Sequence, residues 1–278
     1  MPRDRRQVDG VPFAFCSLHL SLPSLFAPFA FRLSPFTFLP SSLSLSFQML
    51  VKESIASRVL DYHFNLKKSI RGLKLPHGVE WLYPYSEKET RRVMTEFYTR
   101  YYPDTRPRTM IFGINPGRFG AGLTGVPFTD PVKMKEACGI DNSFNKKPEL
   151  SAQFIYALIT SLGGVEAFYG KFYITSLSPL GFVKDGLNYN YYDDPALARA
   201  VRPFILANIR DQIKIAGSGA TKAFCLGEGK NYQYFLKVNE EYEFFGEIVP
   251  LPHPRWIMQY RRKSMDGYLE LYRERLGA

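Results

Sequence analysis

The chain has 278 residues, 45% of them hydrophobic, enough for one large or two small domains with a well-buried core. Its formal net charge of +10 and pI near 9.4 favour polyanionic partners, nucleic acid or an acidic membrane surface, without specifying a fold. Cys16, Cys138 and Cys225 stand far apart, which excludes a paired-cysteine metal spacing and a disulfide framework and makes a reduced intracellular compartment the expectation.

Residues 1–48 differ in composition from the rest. They are built largely from Phe, Leu, Ser and Pro, with no acidic residue between Asp9 and Glu53. Pro12, Pro23, Pro28, Pro35 and Pro40 interrupt the stretch too often for a membrane-length helix. The early arginines and the lack of acids after Asp9 fit a signal or transit peptide. A folded extension, and a reading frame whose natural start is Met49, are the other two readings. In all three, 1–48 is an extension and the fold is expected over 49–278.

From Leu50 onward, strand and helix signals alternate. SEKETRRVMTEFYTRYY is expected to be a helix opened by a capping box, Ser86 with Glu89, and carrying Val93, Met94, Phe97, Tyr98 and Tyr101 on its apolar face. TMIFGI is a short apolar run ending in Gly and Pro, the pattern of a buried strand. ELSAQFIYALITSLGG reads as a helix stopped by Gly163 and Gly164, and KFYITSL as a second strand. In DDPALARAVRPFILANIRDQIKIAG, Asp194 is placed to cap, Pro195 to open and Gly217 to end a helix that Pro203 should bend or split. KAFCLGEG and FFGEIVPLPHP supply strands three and four, and KSMDGYLELYRERL a closing helix. This alternation predicts a three-layer α/β/α fold around a central, mostly parallel four-stranded sheet. Ligands bind beyond the carboxyl ends of such strands. Three of the four ends run into GINPG, SLSPLGF and PLPHPRW, so the site is expected where these meet.

Within GINPGRFGAGLTGVPF, Gly113 and Gly117 admit backbone angles closed to other residues, while Pro116 restricts Asn115. Such a loop either presents the Asn115 side chain in one geometry or is a tight turn in which Asn satisfies its own backbone. Neither G-x-G-x-x-G nor G-K-[ST] is present, which excludes a dinucleotide fingerprint and a P-loop. His253 lies between two prolines, as a catalytic imidazole or a structural one. After it, RWIMQYRRK interleaves basic and aromatic residues, suited to phosphate contact and stacking, or to a solvated basic face.

Taken together, GINPGRFGAGLTGVPF and the HPR about 140 residues later resemble the uracil-DNA glycosylase superfamily. The resemblance is closest to the single-strand-selective monofunctional uracil-DNA glycosylases and their bacterial relatives. Their first motif reads G-M-N-P-G-P-F-G…T-G-V-P-F, and their second opens with His-Pro. The first motif here differs at Ile114 and Arg118 and otherwise follows, through Phe119, Gly120, Thr124, Gly125, Val126, Pro127 and Phe128. The likeness spans roughly Arg108 to Arg262.

The resemblance implies a monofunctional DNA glycosylase of base excision repair, hydrolysing the N-glycosidic bond of uracil or a related deaminated or oxidised base. Its partner would be single- or double-stranded DNA, with no cofactor, no metal and no membrane, and the chain would act as a monomer. The setting would be the cytoplasm or nucleoid of a bacterium, or the nucleus or an organelle of a eukaryote. Asn115 would place the water that attacks C1′, and His253 would donate a hydrogen bond to O2 of the departing base. Phe128 would stack on the everted base, with backbone around Ile114 and Gly117 reading its edge and Phe119 beside them. Arg118, Lys133, Lys135, Arg261, Arg262 and Lys263 would meet the DNA backbone. Arg255, with Trp256, Gln259 and Tyr260, would fill the gap left in the stack.

Two departures qualify this. Where the family ends a strand in N-[HY]-C-P-L, this chain has SLSPL, so Ser176 replaces an asparagine that grips the base edge. A hydroxyl cannot offer the paired donor and acceptor of an amide, so weaker uracil binding and a broader set of bases are expected. The same replacement motivates an alternative, an inactive superfamily member that only binds nucleic acid. HPRW is also shorter than the His-Pro-Ser-Pro-Arg run of animal members, so a wedge of different geometry is expected. The thermophile-type iron–sulfur cluster needs four cysteines, and only two follow Met49. No lysine stands at the catalytic positions of either motif, so no lyase step is expected.

Overall fold

The computed structural model describes residues 54–277 and opens with one helix and one short strand. They are α1 (Ile55–Ser69) and β1 (Val79–Leu82), followed by α2 (Lys88–Tyr101) and β2 (Thr109–Gly113). Two brief helices, α3 (Ala121–Thr124) and α4 (Pro131–Glu136), lead to α5 (Leu150–Ser161), α6 (Val165–Lys171) and β3 (Phe172–Ser176). A hairpin of β4 (Gly181–Lys184) and β5 (Leu187–Tyr189) precedes α7 (Pro195–Ala216), β6 (Lys222–Leu226) and α8 (Lys230–Tyr242). The chain closes with β7 (Glu247–Leu251), α9 (Pro254–Tyr260) and α10 (Met265–Leu276). The described residues fall in one unit, and the expectations for residues 1–48 lie outside them. No helix among the described residues is long and apolar enough to cross a membrane.

The four strands read from the sequence pair as one parallel sheet in the order β3-β2-β6-β7, flanked by helices as the α/β/α reading expects. Met110, Phe112, Tyr173, Ala223 and Cys225 are buried on one face and Ile111, Ile174 and Phe224 on the other, as befits parallel strands covered on both faces. Pro250 sits in β7, at the sheet edge, where its missing N–H costs no ladder bond. The register sets Gly113 beside Ser176 and Leu226 beside Leu251, so the chain leaves all four strands at the same edge.

Two local expectations need correction. The capping box is absent: α2 starts at Lys88 after Glu87, and Ser86 instead closes a 3-10 turn over Pro84–Ser86. Glu89 is taken by the Arg92 guanidinium, at 2.8 and 2.9 Å, and by the Ser143 N–H, at 2.9 Å, charge-assisted bonds that outcompete a cap. Pro203 does not split α7, which runs unbroken with Asp194 capping the N–H groups of Ala196 and Leu197. Burial of Leu197, Val201, Phe204, Ile205 and Ile209 offsets the bond that Pro203 removes. The sequence reading also missed a second sheet, antiparallel, in the order β1-β4-β5. Its hairpin turns on Asp185 and Gly186, at φ 50° and 70°, the left-handed pair of a type I′ turn.

That second sheet is pressed against the glycine-rich loop after β2. A Cβ at Gly181 would collide with the Pro116 carbonyl oxygen and crowd the Leu82 side chain. Gly181→Ala is therefore expected to lower the denaturant midpoint, by about 1–3 kcal/mol of stability. An unchanged midpoint in urea unfolding would contradict this close approach.

Candidate active site

At the carboxyl edge of the main sheet lies a cavity of about 320 Å³. The three expected strand ends all reach it: Ile114, Asn115, Pro116 and Gly117 after β2, Ser176 at the end of β3, and His253 after β7. Pro127 and Phe128, and the start of α9, complete that side.

Asn115 is clamped by the last residue of the hairpin and the backbone just after it. Its Nδ2 donates to the carbonyls of Tyr189 and Pro116, each at 3.3 Å, and its Oδ1 accepts from the Tyr191 N–H at 3.2 Å. These bonds fix which end of the amide points where, and they use the backbone beyond the loop itself. Asn188 braces the next turn, its Oδ1 accepting from the Arg118 N–H at 3.0 Å.

His253 caps α9 through its ring. Nδ1 accepts from the Arg255 N–H at 3.1 Å, so in the neutral imidazole the proton sits on Nε2. Burial, followed by the nearby Arg255 charge, pushes its pKa down to about 4. At neutral pH the ring is therefore an uncharged donor.

Phe128 holds a left-handed backbone, φ 54°, uncommon for a bulky residue. Its ring crosses the end of β2: a Cβ at Gly113 would stand 2.8 Å from Phe128 Cε2 and 3.3 Å from Ser176 Oγ. The ring centroid is 6.3 Å from that of His253. Thr124, whose hydroxyl donates to the Thr129 carbonyl at 2.6 Å, pins the loop that makes this conformation. Behind Ser176, the buried Asn208 of α7 donates to the Ser176 and Leu177 carbonyls, each at 2.9 Å.

Arg255, Trp256, Gln259 and Tyr260 line the mouth, with Trp256 40% and Tyr260 60% exposed. Arg261 lies with its guanidinium 5.2 Å from the Trp256 ring centre, and Arg262 and Lys263 are exposed in the turn beyond. Phe119 is placed differently from the sequence reading. It lines a neighbouring groove rather than the cavity, because its ring is flanked by Arg118 at 5.1 Å and Lys147 at 4.0 Å. Lys133 and Lys135 also stand away from the cavity on α4, engaged with Glu136 at 3.7 Å and Asp141 at 2.6 Å.

Several lining residues were missed: Asn188, Asn190 and Tyr192 from the hairpin side, and Glu149 and Ser151 at the start of α5. Asp185-Gly186 followed by LNYNYY was a hairpin signal available in the sequence. Glu149 had no such signal. Burial, then the like charge of Asp130, raises its pKa to about 7, against the lowering effects of Arg255 and the Gly120 N–H.

The family model described as the uracil DNA glycosylase superfamily matches residues 99–277. The crystal structure of wild-type SMUG2 from Pedobacter heparinus is similar, with a TM-score of 0.77 and 44% identity over 81% of this chain and 97% of that one. No curated protein matches.

The tautomer of His253 is directly measurable. Nitrogen NMR is expected to show an unprotonated Nδ1 and a protonated Nε2 throughout the neutral range. A doubly protonated ring at pH about 6, near the ordinary histidine value, would contradict the burial argument.

Proposed function

The chain belongs to the uracil-DNA glycosylase superfamily and is a DNA glycosylase, a hydrolase of N-glycosyl bonds; we propose that it removes uracil or a related deaminated or oxidised base with Asn115 and His253 as its working pair. The observation that carries this reading is that both side chains line one cavity, each already oriented by backbone bonds.

In this reading the damaged nucleotide leaves the stack and its base lies against Phe128. Extrusion costs a few kcal/mol and is cheapest for a mispaired or unpaired base. Nε2–H of His253 meets O2 of the base, where negative charge grows as the C1′–N bond lengthens. A neutral donor suits a leaving anion, because it stabilises the charge without being a competing acid. One such donor supplies about 2.7–4 kcal/mol. Asn115, its amide fixed by Tyr189 and Tyr191, holds water on the sugar face, where placement of the nucleophile lowers the barrier. The Ser176 hydroxyl lies beside Gly113 and gives the base edge one small polar group, which supports a pocket tolerant of more than uracil.

The exposed aromatics Trp256 and Tyr260 at the cavity mouth are suited to the gap left by an everted nucleotide, with Arg255 and Gln259 beside them. Arg118, Arg261, Arg262 and Lys263 supply positive charge for the phosphates, so binding weakens as salt rises.

Incubation with single- and double-stranded oligonucleotides carrying uracil, 5-hydroxymethyluracil, xanthine or hypoxanthine, then alkali, tests the reading. Strand breaks are expected for uracil or a related base, falling about 10²–10³-fold in His253→Ala and to near background in Asn115→Ala. Retention of DNA without breaks for any base would contradict it. Tyr260→Ala is expected to slow duplex substrates more than single strands; equal losses would remove Tyr260 from the wedge.

A further inference from the structure

Hydrolysis leaves one proton without a destination. Water adds to C1′, and one of its O–H bonds must break. The Asn115 amide is not a base. His253 has Nδ1 occupied by the Arg255 N–H and protonates only near pH 4, while the Tyr192 hydroxyl is held protonated, its pKa pushed up to about 12. Arg255 is a permanent cation. Glu149 is the remaining cavity-lining group whose chemistry suits the task.

Its placement is built in. The Glu149 N–H donates to Asp130 Oδ2 at 2.8 Å, which anchors the backbone just ahead of α5. The side chain does not cap that helix; it lies on the glycine-rich loop instead. A Cβ at Gly120 would collide with Glu149 Oε2. One at Gly117 would stand 3.3 Å from Oε1 and 3.5 Å from Asn188 Nδ2. The two glycines thus make room for a carboxylate two residues along the loop from Asn115. Asn188, which faces the same spot, directly precedes the Tyr189 carbonyl that holds the Asn115 amide.

We propose that Glu149 is the general base of the reaction, accepting the proton of the water that Asn115 holds. The proposal rests on the glycosylase reading above. In the step, the C1′–N bond breaks and its electron pair leaves with the base, which departs as an anion bound to His253 Nε2–H. The C1′–O bond forms, and the water proton passes to the Glu149 carboxylate. Glu149 then releases that proton to solvent or to the departed base, and the enzyme is restored.

The groups facing Glu149 are Asp130 ahead of α4, Arg255 on α9 and the Gly120 N–H, with Arg118 and Lys147 lining the adjoining groove. Burial and Asp130 make the carboxyl a stronger base than a solvated one, and the ionised form is the active one. The rate therefore falls as pH drops through about 7 and levels off above it.

Single-turnover cleavage of a uracil oligonucleotide by the full chain, across pH, tests this. Wild type is expected to show an acid limb near 7. Glu149→Gln keeps the shape and an acceptor for Gly120, so it is expected to bind DNA and unfold like wild type. Its plateau rate should fall about 10²-fold or more, with the limb lost. Formate is expected to restore part of the rate to Glu149→Ala, which a packing role would not allow. Wild-type rate in Glu149→Gln, a surviving limb in that variant, or a flat profile in active wild type overturns the assignment. Wild type inactive at every pH instead overturns the glycosylase reading, and the assignment with it.

Discussion

The clamp on Asn115 is the constraint on which the rest of the site depends. An asparagine side chain alone on a loop can rotate and exchange its oxygen and nitrogen. Here the backbone of Tyr189 and Tyr191 takes one partner from each end of the amide, so a single orientation survives. Tyr189 ends the small antiparallel sheet and Tyr191 follows two residues on, and that sheet reaches the loop because Gly181 lets backbone meet backbone at Pro116. A hairpin outside the main sheet thus sets the geometry of a residue just beyond the end of β2. The main sheet does the rest by register, aligning its strands so that Ser176 and His253 emerge at the same edge.

The electrostatics follow from burial in the same wall. Loss of solvent favours the uncharged form of any titratable group, and the two groups here respond in opposite directions. The imidazole of His253 stays neutral well below its ordinary value, while the carboxyl of Glu149 holds its proton up to about 7. One desolvated cavity therefore provides both a neutral hydrogen-bond donor for a departing anion and a carboxylate of neutral-range basicity. Arg255 acts on both, lowering each pKa, and its own N–H selects the His253 tautomer.

The main architecture was legible because its signals are local. Buried parallel strands are short apolar runs with glycine or proline after them, and Asp194, Pro195 and Gly217 mark helix ends by chemistry that operates within a few residues. Asn115 and His253 were legible through constrained loops and a family resemblance. Other features depend on partners distant in sequence. Glu89 lost its capping role to Arg92 and Ser143, and Phe119 was turned from the cavity by Arg118 and Lys147. Glu149 reads locally as an ordinary residue before a helix. Only its contact with Gly117 and Gly120, about thirty residues earlier in the chain, sets it apart.

The most direct test of this account is a crystal structure of the protein with an oligonucleotide carrying 2′-fluoro-deoxyuridine, whose glycosidic bond resists cleavage. The account predicts the uracil outside the stack, its face on Phe128, its O2 within hydrogen-bonding reach of His253 Nε2, and a water between Asn115 and C1′. A uracil left in the stack, or lodged in the groove beside Phe119 with His253 out of reach, would contradict it.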